Sequence, residues 1–565
     1  MSRSVLVVLT LAVLAVIGIA LFAVRHRLPD HSVVVLKLEG DVDEAPPTDI
    51  VGQWTSRGPA FPTLLLALDM ATADARVDGV LVHIKETSVG YARLQELRDA
   101  LQRVRDGGKR VVALIEGEGL NGTRELFLAS AANRVLIDPA AISPLGGVTG
   151  QYVFLAGFLE KLGIHVEVSR VGEYKSAVEQ FAAKEMSPKA REMSTDLIDG
   201  AFAQIVDGLA SGRHLTGERV RELFEKTPCT PQELVDAGLV DEIADRHDAL
   251  EKGGFPGGKE VEVEAYLRQD PHALGLRSGP EIALVFGTGV ISGERARLSK
   301  GFTADETEKA LDDAAKDDDI KAVVLRVNSP GGDVLASDRI YRAIKRVREK
   351  KPVVISMADY AASGGYYVSA AANAILAEPA TLTGSIGVFA LRPVFAGVYE
   401  KLDIGREMIS RGAYAPVSGS DSPMTPHQQE RTDAITQAAY AEFLARVSEG
   451  RGQKPEAIDK VGRGRVWLGS DALARNLVDE LGGLAGAVER ARREAKLDKL
   501  PDPARVILPA PPGLVDQLRS LVRGDSILDL AQTLLARELP ELPALPSLPP
   551  DGALAYLPPY WLELR

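Results

Sequence analysis

The chain has 565 residues, 45% hydrophobic and 26% charged, with a formal net charge of −13. Such a length exceeds one core and implies several domains, while the negative balance, without a basic stripe interleaved with aromatics, excludes a nucleic-acid surface. The single cysteine, Cys229, excludes intramolecular disulfides and cysteine-ligated clusters, and eight scattered histidines without an HExxH pattern give no metal site.

Ser4 to Val24 carries no charged residue and is long enough to cross a bilayer as one helix. No small-x-small cleavage signal follows it, so the run reads as an uncleaved anchor, with a cleaved signal peptide as the alternative. Arg25 and Arg27 after the run outnumber Arg3 before it, so flanking charge does not place the following domains outside the cell.

Two long segments of similar organisation follow. One begins at the strand Val33–Leu38, the other at Ile282–Phe286, and each alternates strands with helices in the manner of an α/β layered fold. Val80-Leu81-Val82-His83-Ile84 matches Val323-Val324-Leu325-Arg326-Val327 at an offset of 323 − 80 = 243. Asn133 matches Asn373 at 240, and Leu239-Val240-Asp241-Glu242 matches Leu477-Val478-Asp479-Glu480 at 238. Offsets this steady identify a tandem duplication with a domain-sized period. The expected organisation is an anchor over 1–30, a first repeat over 31–250, a connecting segment over 251–279 containing Gly-Gly-Phe-Pro-Gly-Gly, a second repeat over 280–500, and a proline-rich extension over 501–565. Within the extension, 514–535 reads as an amphipathic segment.

The repeats differ where chemistry would be expected. Ala361-Ala362-Ser363-Gly364-Gly365 lies between the apolar run Val353–Met357 and the helix-forming Val368–Ala372. A serine there is either a helix cap or a nucleophile beside an oxyanion site. Its counterpart at 363 − 240 = 123 is Thr123, and Gly364-Gly365 become Arg124-Glu125. The loop Asn328-Ser329-Pro330-Gly331-Gly332 likewise loses its Pro-Gly-Gly in the first repeat, at Lys85–Gly90. A glycine-rich loop after a parallel strand lies where α/β sheets bind ligands, and its N–H groups can supply a second oxyanion donor. Conversely, Gly172-Glu173-Tyr174-Lys175 in the first repeat becomes Gly412-Ala413-Tyr414-Ala415 in the second. One repeat keeps the lysine and the other the serine. A histidine base has little support, since His427 reads as a solvated residue at a helix start and His83 lies in a first-repeat strand. A buried lysine of lowered pKa can serve instead, provided Glu173 points away from its amine.

These motifs, with Leu382-Thr383-Gly384-Ser385-Ile386-Gly387-Val388, resemble the signal peptide peptidase A (protease IV) family in its long tandem form, over roughly Val33 to Leu497. The resemblance implies an α/β chain of two tandem ClpP/crotonase-like domains after a single N-terminal transmembrane helix. It implies a serine endopeptidase with Ser363 as nucleophile, Lys175 as base, Ser385 orienting the lysine, and the N–H groups of Gly364 and Gly332 as oxyanion donors. No cofactor or metal is implied. The implied substrates are apolar peptides such as signal-peptide remnants, and the implied setting is the periplasmic side of a bacterial inner membrane, held through Ser4–Val24. A homo-oligomer, a tetramer, is implied as well. Alternatives are a crotonase-type acyl-CoA enzyme and a catalytically silent membrane scaffold.

Overall fold

The structure is a computed structural model. It describes residues 28–47, 58–293 and 301–509, and the backbone of 555–556. The first repeat contributes β1 (Ser32–Gly40), β2 (Val77–Thr87), β3 (Arg110–Ile115), β4 (Arg134–Ile137), β5 (His165–Val171), β6 (Glu242–Ile243) and β7 (Lys259–Glu262). The second contributes β8 (Gly279–Thr288), β9 (Ile291–Ser292), β10 (Phe302–Thr303), β11 (Ile320–Ser329), β12 (Gly332–Asp333), β13 (Val353–Ala362), β14 (Ala374–Ala377), β15 (Leu382–Gly384), β16 (Val388–Val394), β17 (Val466–Leu468), β18 (Glu480–Leu481) and β19 (Pro503–Leu508). A last short strand, β20 (Ala555–Tyr556), follows.

Each repeat builds its own sheet. The first runs β6-β4-β3-β2-β1-β7 and is parallel throughout. The second runs β17-β15-β13-β11-β8-β19, with β14 and β18 branching from β13. Its central strands read as continuous apolar runs, Val323–Leu325 and Val353–Ile355, because helices cover both faces of a parallel sheet. Residues 259–262, assigned from sequence to a connecting segment, extend the first sheet as β7. Residues 503–508, assigned to the proline-rich extension, extend the second as β19. Both are outer strands in equivalent places, next to β1 and β8, so the duplicated unit is longer than side-chain similarity reveals. The amphipathic segment at 514–535 lies outside the described residues, as does the apolar run Ser4–Val24; among the described residues no helix is long and apolar enough to cross a membrane.

The repeats are fused in two ways. One apolar cluster passes from Val80, Phe61 and Leu97 of the first into Val324, Val354 and Val488 of the second. Within it lies a buried ionic network. Arg326 on β11 donates to Glu44 Oε1 (2.7 Å), Glu96 Oε2 (2.8 Å) and Ser356 Oγ (2.8 Å). Arg93 of the first repeat donates to Asp359 on β13 (Nε–Oδ2 2.5 Å). Burial alone would penalise these charges; opposite charges on both sides hold the guanidinium groups ionised and raise their pKa values. Both second-repeat members sit on strands that end at the loops carrying Asn328–Gly332 and Ser363.

A third sheet crosses between repeats, in the order β10-β9-β12-β20-β16-β5. In it β5 of the first repeat pairs antiparallel with β16 of the second over seven residues, from Val388 opposite Val171 to Val394 opposite His165. Replacing Arg326 by methionine strands Glu44 and Glu96 in the core. The expected cost is about 3–5 kcal/mol, read as a lower urea midpoint for the full chain in detergent.

Candidate active site

Ser363 follows the last residue of β13 and precedes the helix Gly364–Ser369. Its backbone is at φ 56°, ψ −114°, a region that L-residues with a β-carbon rarely occupy. The residue occupies the N-cap position, its carbonyl accepting from Tyr367 N–H (2.8 Å), but its side chain makes no capping bond to that helix, so the hydroxyl is left for another partner. The strained position costs on the order of 1–3 kcal/mol, and the hydroxyl it carries is wholly buried.

The two following glycines allow the Ser329–Gly332 loop to close on the helix start. A β-carbon on Gly364 would lie 2.7 Å from Ser337 Oγ and 3.1 Å from the Gly332 nitrogen; one on Gly365 would lie 2.8 Å from the Ser329 carbonyl oxygen. The Gly332 and Gly364 backbones are thereby neighbours beside Ser363. The helix is pinned from its other side, where Tyr366 Oη donates to the Leu477 carbonyl (2.8 Å) and Tyr367 Oη to Asp338 (3.0 Å).

Lys175 arrives from the first repeat. β5 ends at Val171, and pairing with β16 sets Gly172–Lys175 against the turn that precedes Val388. β15 pairs with β13 so that Gly384 stands opposite Ala362, and Ser363 N–H donates to the Gly384 carbonyl (2.8 Å). Ser385 therefore sits beside Ser363. Lys175 Nζ is 2.7 Å from Ser363 Oγ, 3.0 Å from Ser385 Oγ and 3.1 Å from the Ser385 carbonyl oxygen. All three side chains are fully buried. Burial holds the Lys175 pKa well below its ordinary 10.5, with no charged neighbour opposing the shift. A neutral amine has two N–H donors and one lone pair. It can satisfy both Ser385 oxygens as donor and accept the Ser363 hydroxyl proton. Glu173, the one carboxylate adjacent in sequence, turns outward toward Arg463 (3.6 Å) and is 43% exposed.

The sequence-selected residues Ser363, Lys175, Ser385, Gly364 and Gly332 thus converge. Their first-repeat counterparts do not form a second site. Thr123 donates to Asn121 Oδ1 (2.7 Å) and accepts from Gly147 N–H (3.0 Å), while Leu145, in the place of Ser385, is packed in the core.

The Peptidase family S49 model matches residues 103–253 and 345–498, once in each repeat, and the Clp protease model matches 302–379. The chain belongs to peptidase family S49. It is 33% identical to "Serine protease SPPA, chloroplastic" from Arabidopsis thaliana, over 90% of this chain and 76% of that one. It is 32% identical to "Protease 4" from Salmonella typhi (76% and 71% covered), and 30% identical to "Protease 4" from Haemophilus influenzae (79% and 75% covered). This S49 chain is a serine protease built from two tandem family domains, which displaces both the acyl-CoA enzyme and the silent scaffold as readings.

One supporting segment escaped the sequence reading. Gly462-Arg463-Gly464-Arg465, before β17, links the Lys175 segment to the turn that carries Ser385. The Arg463 carbonyl accepts from Tyr174 N–H (3.0 Å), Gly464 N–H donates to the Ile386 carbonyl (2.7 Å), and the Arg465 carbonyl accepts from Ser385 N–H (2.7 Å). Gly464 has φ +81°, and a β-carbon there would lie 2.5 Å from the Lys175 nitrogen. The available signal was the Gly-x-Gly spacing, whose target lies in the other repeat. Gly464→Ala is expected to displace the Lys175 backbone and lower kcat about 100-fold. Peptide KM changes little, which steady-state kinetics would check.

Proposed function

We propose that this chain is a membrane-anchored endopeptidase in which Ser363 is the nucleophile and Lys175 the general base and acid, acting on apolar peptides such as cleaved signal peptides. The observation that carries this reading is the 2.7 Å contact between Lys175 Nζ and Ser363 Oγ in a fully buried setting without a carboxylate. Neutral Lys175 takes the Ser363 proton as Oγ bonds to the scissile carbonyl carbon. The resulting oxyanion is held by the N–H groups of Gly364 and Gly332. The lysine then returns its proton to the departing amine as the C–N bond breaks, leaving an acyl-enzyme. Water, deprotonated by the same amine, releases the acyl group and restores the serine. Ser385 fixes the amine through its hydroxyl and carbonyl oxygens.

The slot between β12 and β16 supports an extended substrate. The backbone of β20 runs antiparallel to both, with Tyr556 opposite Gly332 and Ala555 opposite Phe389. A peptide in the same slot is held by main-chain hydrogen bonds, which tolerate varied sequences. The anchor rests on Ser4–Val24, which would hold the protease beside peptides left in a bilayer. The resemblance to signal peptide peptidase A supports the periplasmic side of a bacterial inner membrane.

Ser363→Ala and Lys175→Ala are each expected to lower kcat/KM for a peptide ester by roughly 1,000-fold or more, with Ser385→Ala falling about tenfold; wild-type turnover in either of the first two would sink the assignment. The base form of Lys175 exists above its lowered pKa. Activity should therefore rise with pH through that value as one proton is lost, then level off. Stability has the complementary sign. The unfolded lysine keeps its proton up to about 10.5, so burying it neutral costs stability below that pH. Lys175→Met should raise the unfolding midpoint at neutral pH, by an amount that shrinks as pH climbs toward 10.5.

A further inference from the structure

The lysine-bearing segment and the Ser385 turn meet through side chains as well as through backbone. Arg465 stands at the entry to β17, and its carbonyl accepts from Ser385 N–H (2.7 Å). Its guanidinium lies between two rings, 4.7 Å from the centroid of Tyr174 and 4.5 Å from that of Trp467. Tyr174 belongs to the first repeat and immediately precedes Lys175. Trp467 belongs to the second and stands opposite Thr383 on β15.

The same guanidinium crosses to the first-repeat helix Pro188–Arg213. Nη1 donates to Glu192 Oε1 (2.8 Å), and Nη2 donates to Asp196 Oδ2. Tyr174 Oη donates to the same Glu192 oxygen (2.8 Å), so ring, carboxylate and guanidinium close on one another. Arginine suits this place, because its flat face stacks on rings while its edge bonds to carboxylates; a lysine ammonium cannot do both at once. Glu192 and Asp196 are exposed, and ion pairs to such carboxylates add little stability. What they fix is position.

The duplication supplies an independent sign. Pro188 corresponds to Pro426 at 426 − 188 = 238, the offset that also relates Leu239 to Leu477. At that offset Arg465 falls on Thr227 and Trp467 on Cys229, so the first repeat lacks both. Tyr174 and Glu192 keep counterparts in Tyr414 and Glu430, but Asp196 falls on Ala434. The arginine survives in one repeat and its second carboxylate in the other. That is the pattern of Ser363 and Lys175.

We propose that Arg465 is a positioning residue for the general base: stacked between Tyr174 and Trp467 and paired with Glu192 and Asp196, it clamps the lysine segment of the first repeat onto the Ser385 turn of the second. The inference rests on Lys175 being the base. Without the clamp the segment moves off the turn, and the amine exchanges its serine oxygens for water. A hydrated amine holds its proton to higher pH. The charged pairs flanking the segment are Arg170 with Glu179 (3.0 Å), Glu173 with Arg463 (3.6 Å) and Lys189 with Glu192 (2.8 Å). No histidine is among them, so the acid limb of the pH–rate profile reports on Lys175.

The test follows peptide-ester hydrolysis by the full chain in detergent across pH. Arg465→Met is expected to lower kcat about 30-fold at pH 7, with KM changed less than about twofold. Its acid limb should move up by about one pH unit, so that the loss shrinks as pH rises. Arg465→Lys should not rescue it. Glu192→Gln with Asp196→Asn should move the limb the same way, and should cost nothing further when combined with Arg465→Met. A wild-type kcat in Arg465→Met, a loss equal at every pH, rescue by lysine, or full additivity overturns the proposal. Both carboxylates lie on exposed helix surface, so their double variant decides the matter if Arg465→Met does not fold. Lys175→Ala in the same assay separates the two failures. Wild-type turnover there removes the base itself, whereas an inactive Lys175→Ala beside an unshifted Arg465→Met removes only the clamp.

Discussion

A lysine amine buried without a carboxylate, in contact with two serines, is the constraint on which this structure turns. Water would hold Lys175 protonated; the interior pushes its pKa well below 10.5, because no anion repays the lost hydration. The amine is kept in place by geometry instead. Ladder pairing of β5 with β16 sets its position along the strand, Ser385 supplies two oxygens, and the Gly462–Arg465 turn supports the backbone on both sides. Ser363 is fixed just as firmly, by a strained backbone between β13 and a pinned helix.

Because the amine and the hydroxyl come from different repeats, domain registry becomes a matter of chemistry. A displacement of about 1 Å between repeats would break the 2.7 Å contact. The buried Arg326–Glu44–Glu96 and Arg93–Asp359 contacts tie the two repeats together across this interface. Apolar surfaces slide at modest cost, whereas a buried guanidinium accepts few arrangements. Arg326 lies on β11 and Asp359 on β13, the strands that lead to Gly331-Gly332 and to Ser363.

The asymmetry of the duplication follows from the same arrangement. Lys175 comes from the first repeat and Ser363 from the second, so each repeat contributes one side of the contact. The first repeat fills its own serine position with Thr123, tied to Asn121, and its Ser385 position with Leu145 in the core. The second leaves Ala415 on an exposed segment.

The sequence by itself determined the α/β alternation, the duplication, and the reciprocal loss of lysine and serine, because parallel strands buried on both faces must be apolar runs and a fixed offset survives divergence. It pointed to Ser363, Lys175, Ser385, Gly364 and Gly332 as a group. It did not reveal β7, whose Lys259–Glu262 carries a single apolar residue, or β19, whose short run Val506-Ile507-Leu508 abuts the proline-rich stretch that begins at Pro509. Nor did it reveal the Gly462–Arg465 support or the pairing of Arg326 with carboxylates 230 and 282 positions away. Those depend on which backbones meet across the repeat interface. The choice between a capping serine and a serine aimed at an amine was likewise tertiary: the φ of Ser363 and the burial of Lys175 are set by neighbours remote in the chain, and no local pattern encodes them.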